Sequence, residues 1–362
     1  MSLISFARGV PAPELLPVEE LADCAHVALE RDGHTVLNYG PVGGYGPLRE
    51  WIAERHGVEP GRIMVTNGSL EGLNLLLERF AAVGRILVEA PTYDRPLKIA
   101  ERLGAELRAI PHDHEGLDVE ALETELRRDP GPVFLYLLPT FQNPSGRTLS
   151  LERRRRLVEL TREHDLTVLE DDPYRLVRFE GESLPTLLEL EGGERLLYSS
   201  SFSKIVAPGL RVGYFVLPAA LASELEQLAV NVWLAPSFLA QATLLEFLRR
   251  GNLESNVAHV CAQLRERRNA MLDGLAERIA EARCSRPEGG YFVWVDFPGG
   301  VDAHELFGRA EQAGVSFVGG ADFFPGGSGG HGSARLAYSF VTPSEIGQGI
   351  DRLAEVLAPA RP

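Results

Sequence analysis

The chain has 362 residues, 44% of them hydrophobic and 24% charged, with a formal net charge of −15. Its length exceeds the usual single core and implies two lobes, and its composition is that of an ordinary globular protein. So acidic a chain is a poor generic partner for nucleic acid, and no apolar run reaches a membrane span.

The scattered Cys24, Cys261 and Cys284 argue against a disulfide framework or zinc knuckle, and a reducing cytoplasm is expected. The first residues, "MSLISFARGV", lack the basic-then-apolar pattern of a signal peptide. "FARGVPAPELLP" is proline-rich and reads as extended, and "PVEELADCAHVALER" as a short amphipathic helix. The glycine-rich loop "GPVGGYGPL" leads into the helical pattern "REWIAERHG". A βα rhythm then begins. "RIMVT" predicts a strand, "NGS" a turn and helix cap, and "LEGLNLLLERF" a helix. "RILVEAP", "ELRAIPHD", "PVFLYLLP", "LTVLEDD", "ERLLYSSS" and "RVGYFVLP" read as strands; "YDRPLKIAERLG", "DVEALETELRR" and "SLERRRRLVELTREHD" read as helices. The almost wholly apolar "PVFLYLLP" is the mark of a sheet buried on both faces. The alternation predicts an α/β fold with a mostly parallel central sheet flanked by helices.

After about Pro218 the texture changes. "ALASELEQLAVNVWLAPSFLAQATLLEFLRRG" and "NLESNVAHVCAQLRERRNAMLDGLAERIAEA" read as long helical stretches, and "GGYFVWVDFP", "VSFVGG" and "SARLAYSF" as strands of a smaller α+β domain. The expected division is an N-terminal segment, residues 1–35, packed on the small domain; a large domain, residues 36–250; and the small C-terminal domain, residues 251–362.

In an open parallel sheet, ligands bind beyond the carboxyl ends of the strands. The polar residues there are Asn67, Gly68 and Ser69; Tyr93; Asn143; Asp171, Asp172 and Tyr174; and Ser203 with Lys204. Singly each has a bland reading: a helix cap, a packing tyrosine, a turn asparagine, solvated acids, a surface lysine. Together, different strands deliver complementary groups to one rim. A lysine amine suits bonding to a carbonyl, and pyridoxal 5′-phosphate supplies that carbonyl together with an electron sink. Its phosphate asks for hydroxyls, an arginine and helix-terminal N–H groups, which Ser201, Ser203, Arg211 and the Gly68–Leu70 turn offer. Its ring nitrogen asks for a buried carboxylate such as Asp171, its ring oxygen for donors such as Asn143 and Tyr174, and its ring face for an aromatic such as Tyr93.

The motifs "ISFARGVPAPELLP", "LNYGPVGGYGPLREWIA", "TNGSLEGLNLL", "EAPTYD", "LPTFQNPSG", "LEDDPY", "SSFSKIVAPGLRVGY", "PEGGYFVW" and "ARLAYSF" run almost end to end. In this order the chain resembles the fold-type I pyridoxal-phosphate aminotransferases of class I/II, in the branch of 2-aminoadipate and kynurenine aminotransferases and related regulator domains. The resemblance implies that Lys204 bonds the cofactor and then acts as general base and acid, with Asp171 on the pyridine nitrogen. It implies that Tyr174 and Asn143 hold the ring oxygen, that Ser69, Leu70, Ser201, Ser203 and Arg211 hold the phosphate, and that Tyr93 stacks. It implies that Arg335 clamps the substrate carboxylate, a task lysine performs poorly. Tyr39 is similar to a tyrosine reaching the neighbouring subunit's phosphate, which implies a homodimer with shared sites. Relatives favour two glycines where Arg8 and Gly9 stand, beside the substrate side chain, so Arg8 is expected either to pair with an acidic side-chain terminus or to face solvent. Relatives also carry a helical segment before the "ISFA" position, where this chain starts.

The reaction so implied moves an amino group from an L-amino acid to a 2-oxo acid, with 2-oxoglutarate the expected acceptor, by a ping-pong cycle. A lyase or decarboxylase on the same scaffold is the alternative. A regulator's sensing domain is disfavoured, since no DNA-binding module precedes "ISFARG". "RRRR" at Arg153–Arg156 reads as a solvated helix face, His112 and His114 as loop residues without a third ligand, and "PGGSGGHG" as a flexible loop near Arg335; no metal is expected.

Overall fold

A computed structural model describes residues 3–358. In chain order its strands are β1 (Ile4–Ser5), β2 (Ile63–Thr66), β3 (Arg85–Ala90), β4 (Leu107–Asp113), β5 (Gly116–Leu117), β6 (Val133–Leu137), β7 (Leu166–Asp171), β8 (Leu196–Ser201), β9 (Gly213–Val216), β10 (Arg283–Cys284), β11 (Phe292–Asp296), β12 (Val315–Ser316), β13 (Val318–Gly319) and β14 (Ser333–Ala337). The helices are α1 (Val18–Val36), α2 (Gly46–His56), α3 (Ser69–Ala81), α4 (Asp94–Leu103), α5 (Val119–Arg128), α6 (Leu151–Glu163), α7 (Leu187–Leu190), α8 (Ala219–Ala229), α9 (Phe238–Arg249), α10 (Asn252–Arg278), α11 (Ala303–Gln312) and α12 (Pro343–Leu357).

The central sheet has the order β2-β9-β8-β7-β6-β3-β4-β5. Only β9 and β5 pair antiparallel with their neighbours; the rest share one direction. Alternate residues of each strand feed opposite cores. Ile86, Val88, Phe134 and Tyr136 pack with α3, α4 and α8, whereas Leu87, Val133, Leu135 and Leu137 pack with α5 and α6. That two-sided burial explains the unbroken apolar run of β6.

The second lobe carries the antiparallel sheet β10-β11-β14-β13, backed by α10 and α12, which lie against each other. β1 pairs parallel with β12, so the chain's start is stitched to its last third. α1 runs along α9.

Several local expectations are corrected. The predicted single stretch from Ala219 to Arg250 is two helices, because Leu234 takes a positive φ of 64° and Ser237 caps a new helix by accepting from the Ala240 N–H at 3.4 Å. The short helix expected at 17–31 continues to Val36 across a non-helical Asp32. "VSFVGG" splits into β12 and β13, which join different sheets. His112 is not in a loop but buried in β4, and burial pushes it down to about 3, leaving it neutral. Arg154 is not solvated: it is 1% exposed, and its guanidinium reaches Leu149 O, Pro139 O, Pro185 O, Thr140 and Glu170. No helix among the described residues is long and apolar enough to cross a membrane.

Candidate active site

The carboxyl ends of β2, β3, β6, β7 and β8 open into one cavity of about 450 Å³, closed from the other lobe by β13, β14 and the segment Ala7–Val10. Ser69, Leu70, Tyr93, Asn143, Asp171, Tyr174, Ser201, Ser203, Lys204, Arg211, Arg335 and Gly9 all line it.

At the β8 end, Ser201 Oγ donates to Ser203 Oγ at 2.9 Å, and the Ser203 N–H donates back to Ser201 at 3.2 Å. The next residue, Lys204, is buried; burial and the neighbouring Arg335 and Arg211 pull its amine down to about 8. Its Nζ donates to Gly9 O at 2.8 Å and lies 5.8 Å from the Tyr174 ring centre. Tyr291 holds the backbone here, donating to Lys204 O at 2.6 Å.

At the β7 end, burial raises the Asp171 carboxyl to about 6, against Tyr136 Oη at 2.7 Å and Ser199 Oγ at 3.0 Å, which donate to it. Beyond β2, Gly68 has φ +86° and makes no side-chain cap, so the N–H groups of Ser69 and Leu70 head α3 without intrahelical acceptors. A Cβ on Gly68 would overlap the Arg211 guanidinium, which donates to Asn67 O at 3.1 Å. A Cβ on Gly213 would likewise strike the Ser69 backbone nitrogen. The two glycines let guanidinium, strand and helix start close on one point.

Arg335 stands on β14 between Trp294 and Val318 of the flanking strands. It is 8% exposed, with Nη1 bonded to Asn143 Oδ1 at 2.9 Å and Nη2 to Ala7 O at 2.8 Å, sandwiched by Phe292 and Phe323. Its Nε has no partner, and no carboxylate among the described residues pairs with it. A buried guanidinium held only by neutral acceptors is short of an anion.

One expected residue is not brought in, and another, Tyr39, was expected to act on the neighbouring subunit instead. Arg8 is exposed with its guanidinium 5.0 Å above the Phe340 ring, so it turns from the cavity that its neighbours line. Tyr39 is 79% exposed and lies outside its own chain's cavity. Tyr136, Ser199 and Tyr291 were absent from the sequence reading. Tyr136 carried a signal: a phenol in a strand buried on both faces needs a hydrogen-bond partner.

Pyridoxal phosphate fits this donor set. Lys204, Arg211, the head of α3 and the Ser201–Ser203 hydroxyls form a cationic, donor-rich end, while Arg335 and its orphaned Nε offer a second anion seat. Asp171 lines the same cavity and supplies its buried carboxylate.

The family described as aminotransferase class I and II matches residues 4–353. The 2-aminoadipate transaminase of Thermus thermophilus is 39% identical over 360 residues, covering 98% of this chain and 90% of that protein. The crystal structure of α-aminoadipate aminotransferase from Thermus thermophilus, complexed with N-(5′-phosphopyridoxyl)-L-leucine, superposes with a TM-score of 0.93 at 39% identity, covering 98% and 92% of the two chains. Kynurenine aminotransferase of Pyrococcus horikoshii gives a TM-score of 0.94 at 34% identity, covering 99% and 91%. With the family matched from Ile4 to Leu353, this chain belongs to the class I and II aminotransferases.

Proposed function

We propose that the protein is a pyridoxal-phosphate-dependent aminotransferase that moves an amino group from an L-amino acid to a 2-oxo acid, with 2-oxoglutarate as the acceptor, in a ping-pong cycle. The observation that carries this is the convergence of Lys204, Asp171, Arg211 and the counter-ion-free Arg335 on one cavity.

When bound, the cofactor supplies an aldehyde and a protonated ring that accepts electrons from the substrate's Cα–H bond. Lys204 would hold it covalently, and Arg211, Ser201, Ser203 and the N–H groups of Ser69 and Leu70 would hold its phosphate, with Gly68 as the turn that admits them. Asp171 holds a proton on the ring nitrogen, steadied by Tyr136 and Ser199. Asn143 and Tyr174 hold the ring oxygen and Tyr93 covers the ring. Arg335 takes the α-carboxylate, exchanging Ala7 O for a charged acceptor, and so fixes the orientation of Cα. Lys204, with its lowered basicity, would move the proton at Cα as general base and acid. Phe292 and Phe323 around Arg335 exclude water from that salt bridge.

The reading includes the domain division 1–35, 36–250 and 251–362, a cytoplasmic location, and a homodimer in which Tyr39 serves the neighbouring subunit's phosphate. The exposure of Tyr39, Leu37, Leu70, Val232 and Leu234 supports the dimer. The test is a half-reaction series. Purified protein loaded with pyridoxal phosphate is yellow, and an amino-acid panel converts the bound cofactor to its amine form. A colourless reconstituted protein ends the cofactor claim; release of ammonia or carbon dioxide instead points to a lyase or decarboxylase.

A further inference from the structure

Bordered by α2, β8, β9 and the start of α10 lies a second cavity of about 300 Å³ that the reaction does not use. Pro173 and Ser201 line both. Its volume is at the lower end of small-ligand sites. Trp51, Tyr198, Phe202 and Tyr214 supply aromatic walls, Asp172 and Glu189 supply carboxylates, and Arg55 and Arg175 also line it.

Asp172 is 1% exposed, and neither carboxylate oxygen makes a hydrogen bond of ordinary geometry; the Thr140 hydroxyl is the nearby donor. The nearby guanidiniums are committed elsewhere. Arg154 is spent on Glu170, Thr140 and three carbonyls, and Arg175 pairs with Glu189 at 2.9 Å. Arg55 stacks on Trp51 and approaches the exposed Glu254 at 3.8 Å. His56, bonded to Tyr214 Oη at 3.0 Å, is kept neutral by burial. With Arg154 turned to Glu170 and Arg175 to Glu189, neither guanidinium pairs directly with Asp172, although the charge of each favours its ionised form. A lone buried carboxylate beside aromatic faces is the recognition chemistry of an organic ammonium ion.

We propose that this cavity is a binding site for a small organic amine, its ammonium group donating to Asp172 and its aliphatic body lying between Trp51, Tyr198 and Phe202. The site is separate from the one that takes the amino donor. The link between them is short: the Asp172 N–H donates to Ser199 O at 2.8 Å, and Ser199 Oγ donates to Asp171.

The test is calorimetry on the cofactor-loaded enzyme with N,N-dimethylbutylamine, a protonated tertiary amine that cannot condense with an aldehyde, and 1-pentanol as an uncharged control. The expected result is one amine bound per chain and none of the alcohol. Asp172→Asn should weaken amine binding at least tenfold, and Leu253→Trp, which fills the cavity from α10, should abolish it. Lys204→Ala should leave it unchanged. The proposal is overturned if the amine does not bind, if the alcohol binds equally, or if Leu253→Trp binds like wild type. A folded Asp172→Asn that binds like wild type overturns it too. Calorimetry reads binding without turnover, so failure here is distinct from failure of the aminotransferase reading.

Discussion

Asp171 sits under opposed influences: burial lifts its carboxyl to about 6, while Tyr136 and Ser199 favour its ionised form. Tyr136→Phe removes one donor to a charged acceptor, an interaction of about 1.5–3 kcal/mol. The carboxyl then titrates higher, so the acid limb of kcat/KM moves upward in pH and activity at pH 7 falls about two- to fifteenfold; a pH–rate profile checks both. Stability of the cofactor-free protein follows with a definite sign. Because the folded pKa lies above the unfolded one, the ionised carboxyl costs stability above about pH 6 and nothing below its ordinary value of 3.8. Asp171→Asn should melt higher than wild type at pH 8, by up to about 3 kcal/mol, and match it near pH 4. Lys204 titrates near 8, so cofactor capture should accelerate with rising pH and level off above that value. Arg335→Leu removes a repelling charge and should shift that midpoint upward, as stopped-flow absorbance would record. Arg8 lies over Phe340 outside the cavity, so Arg8→Ala should leave the ratio of kcat/KM for acidic and apolar donors unchanged. Strand-end position made Lys204, Asp171, Asn143 and Arg211 legible in the sequence. Tyr136 and Ser199 were not, because a strand's register with its neighbour decides which hydroxyl meets which carboxylate, and one sequence carries no register. Arg8 was misleading because adjacent residues of an extended segment point to opposite sides.

At the scale of elements, the turn before α3 governs the phosphate end. Gly68 combines φ +86° with close approach of Arg211. Gly68→Ala adds strain and steric overlap, so the cofactor dissociation constant should rise at least tenfold with folding retained; dialysis of the yellow protein against phosphate buffer measures this. The βα rhythm of the central sheet was readable from its apolar runs. The break between α8 and α9 was not taken from the sequence, although "APS" at 235–237 carried both a proline and a capping serine. Helical periodicity on both sides masked the interruption. α6 teaches a similar lesson: four consecutive arginines point to different sides of a helix, and Arg154 alone faces inward.

For the whole molecule, exposed apolar residues gather on the segments around Leu37–Tyr39 and Leu228–Leu234. Val232, 65% exposed, packs on nothing that a monomer needs, so Val232→Asp should leave the fold intact by circular dichroism while producing monomers in sedimentation. If Tyr39 serves the partner's phosphate, those monomers should also bind cofactor more weakly. The smaller α+β lobe was legible from its strand patterns, whereas the change of texture near Pro218 marks helices α8 and α9, of which α8 packs on the central sheet. The stitching of β1 to β12 was not, because two-residue strands carry no periodicity.

That stitching governs how the enzyme comes into being. Lys204 leans on Gly9 O and Arg335 on Ala7 O, so residues from the first and last parts of the gene product share one chamber. During synthesis the amino terminus must wait, unpaired, until β12 and β14 have emerged. A nascent chain arrested before Ser333 lacks both the anion seat and its wall. Competence to seat the substrate carboxylate is therefore a late event of translation.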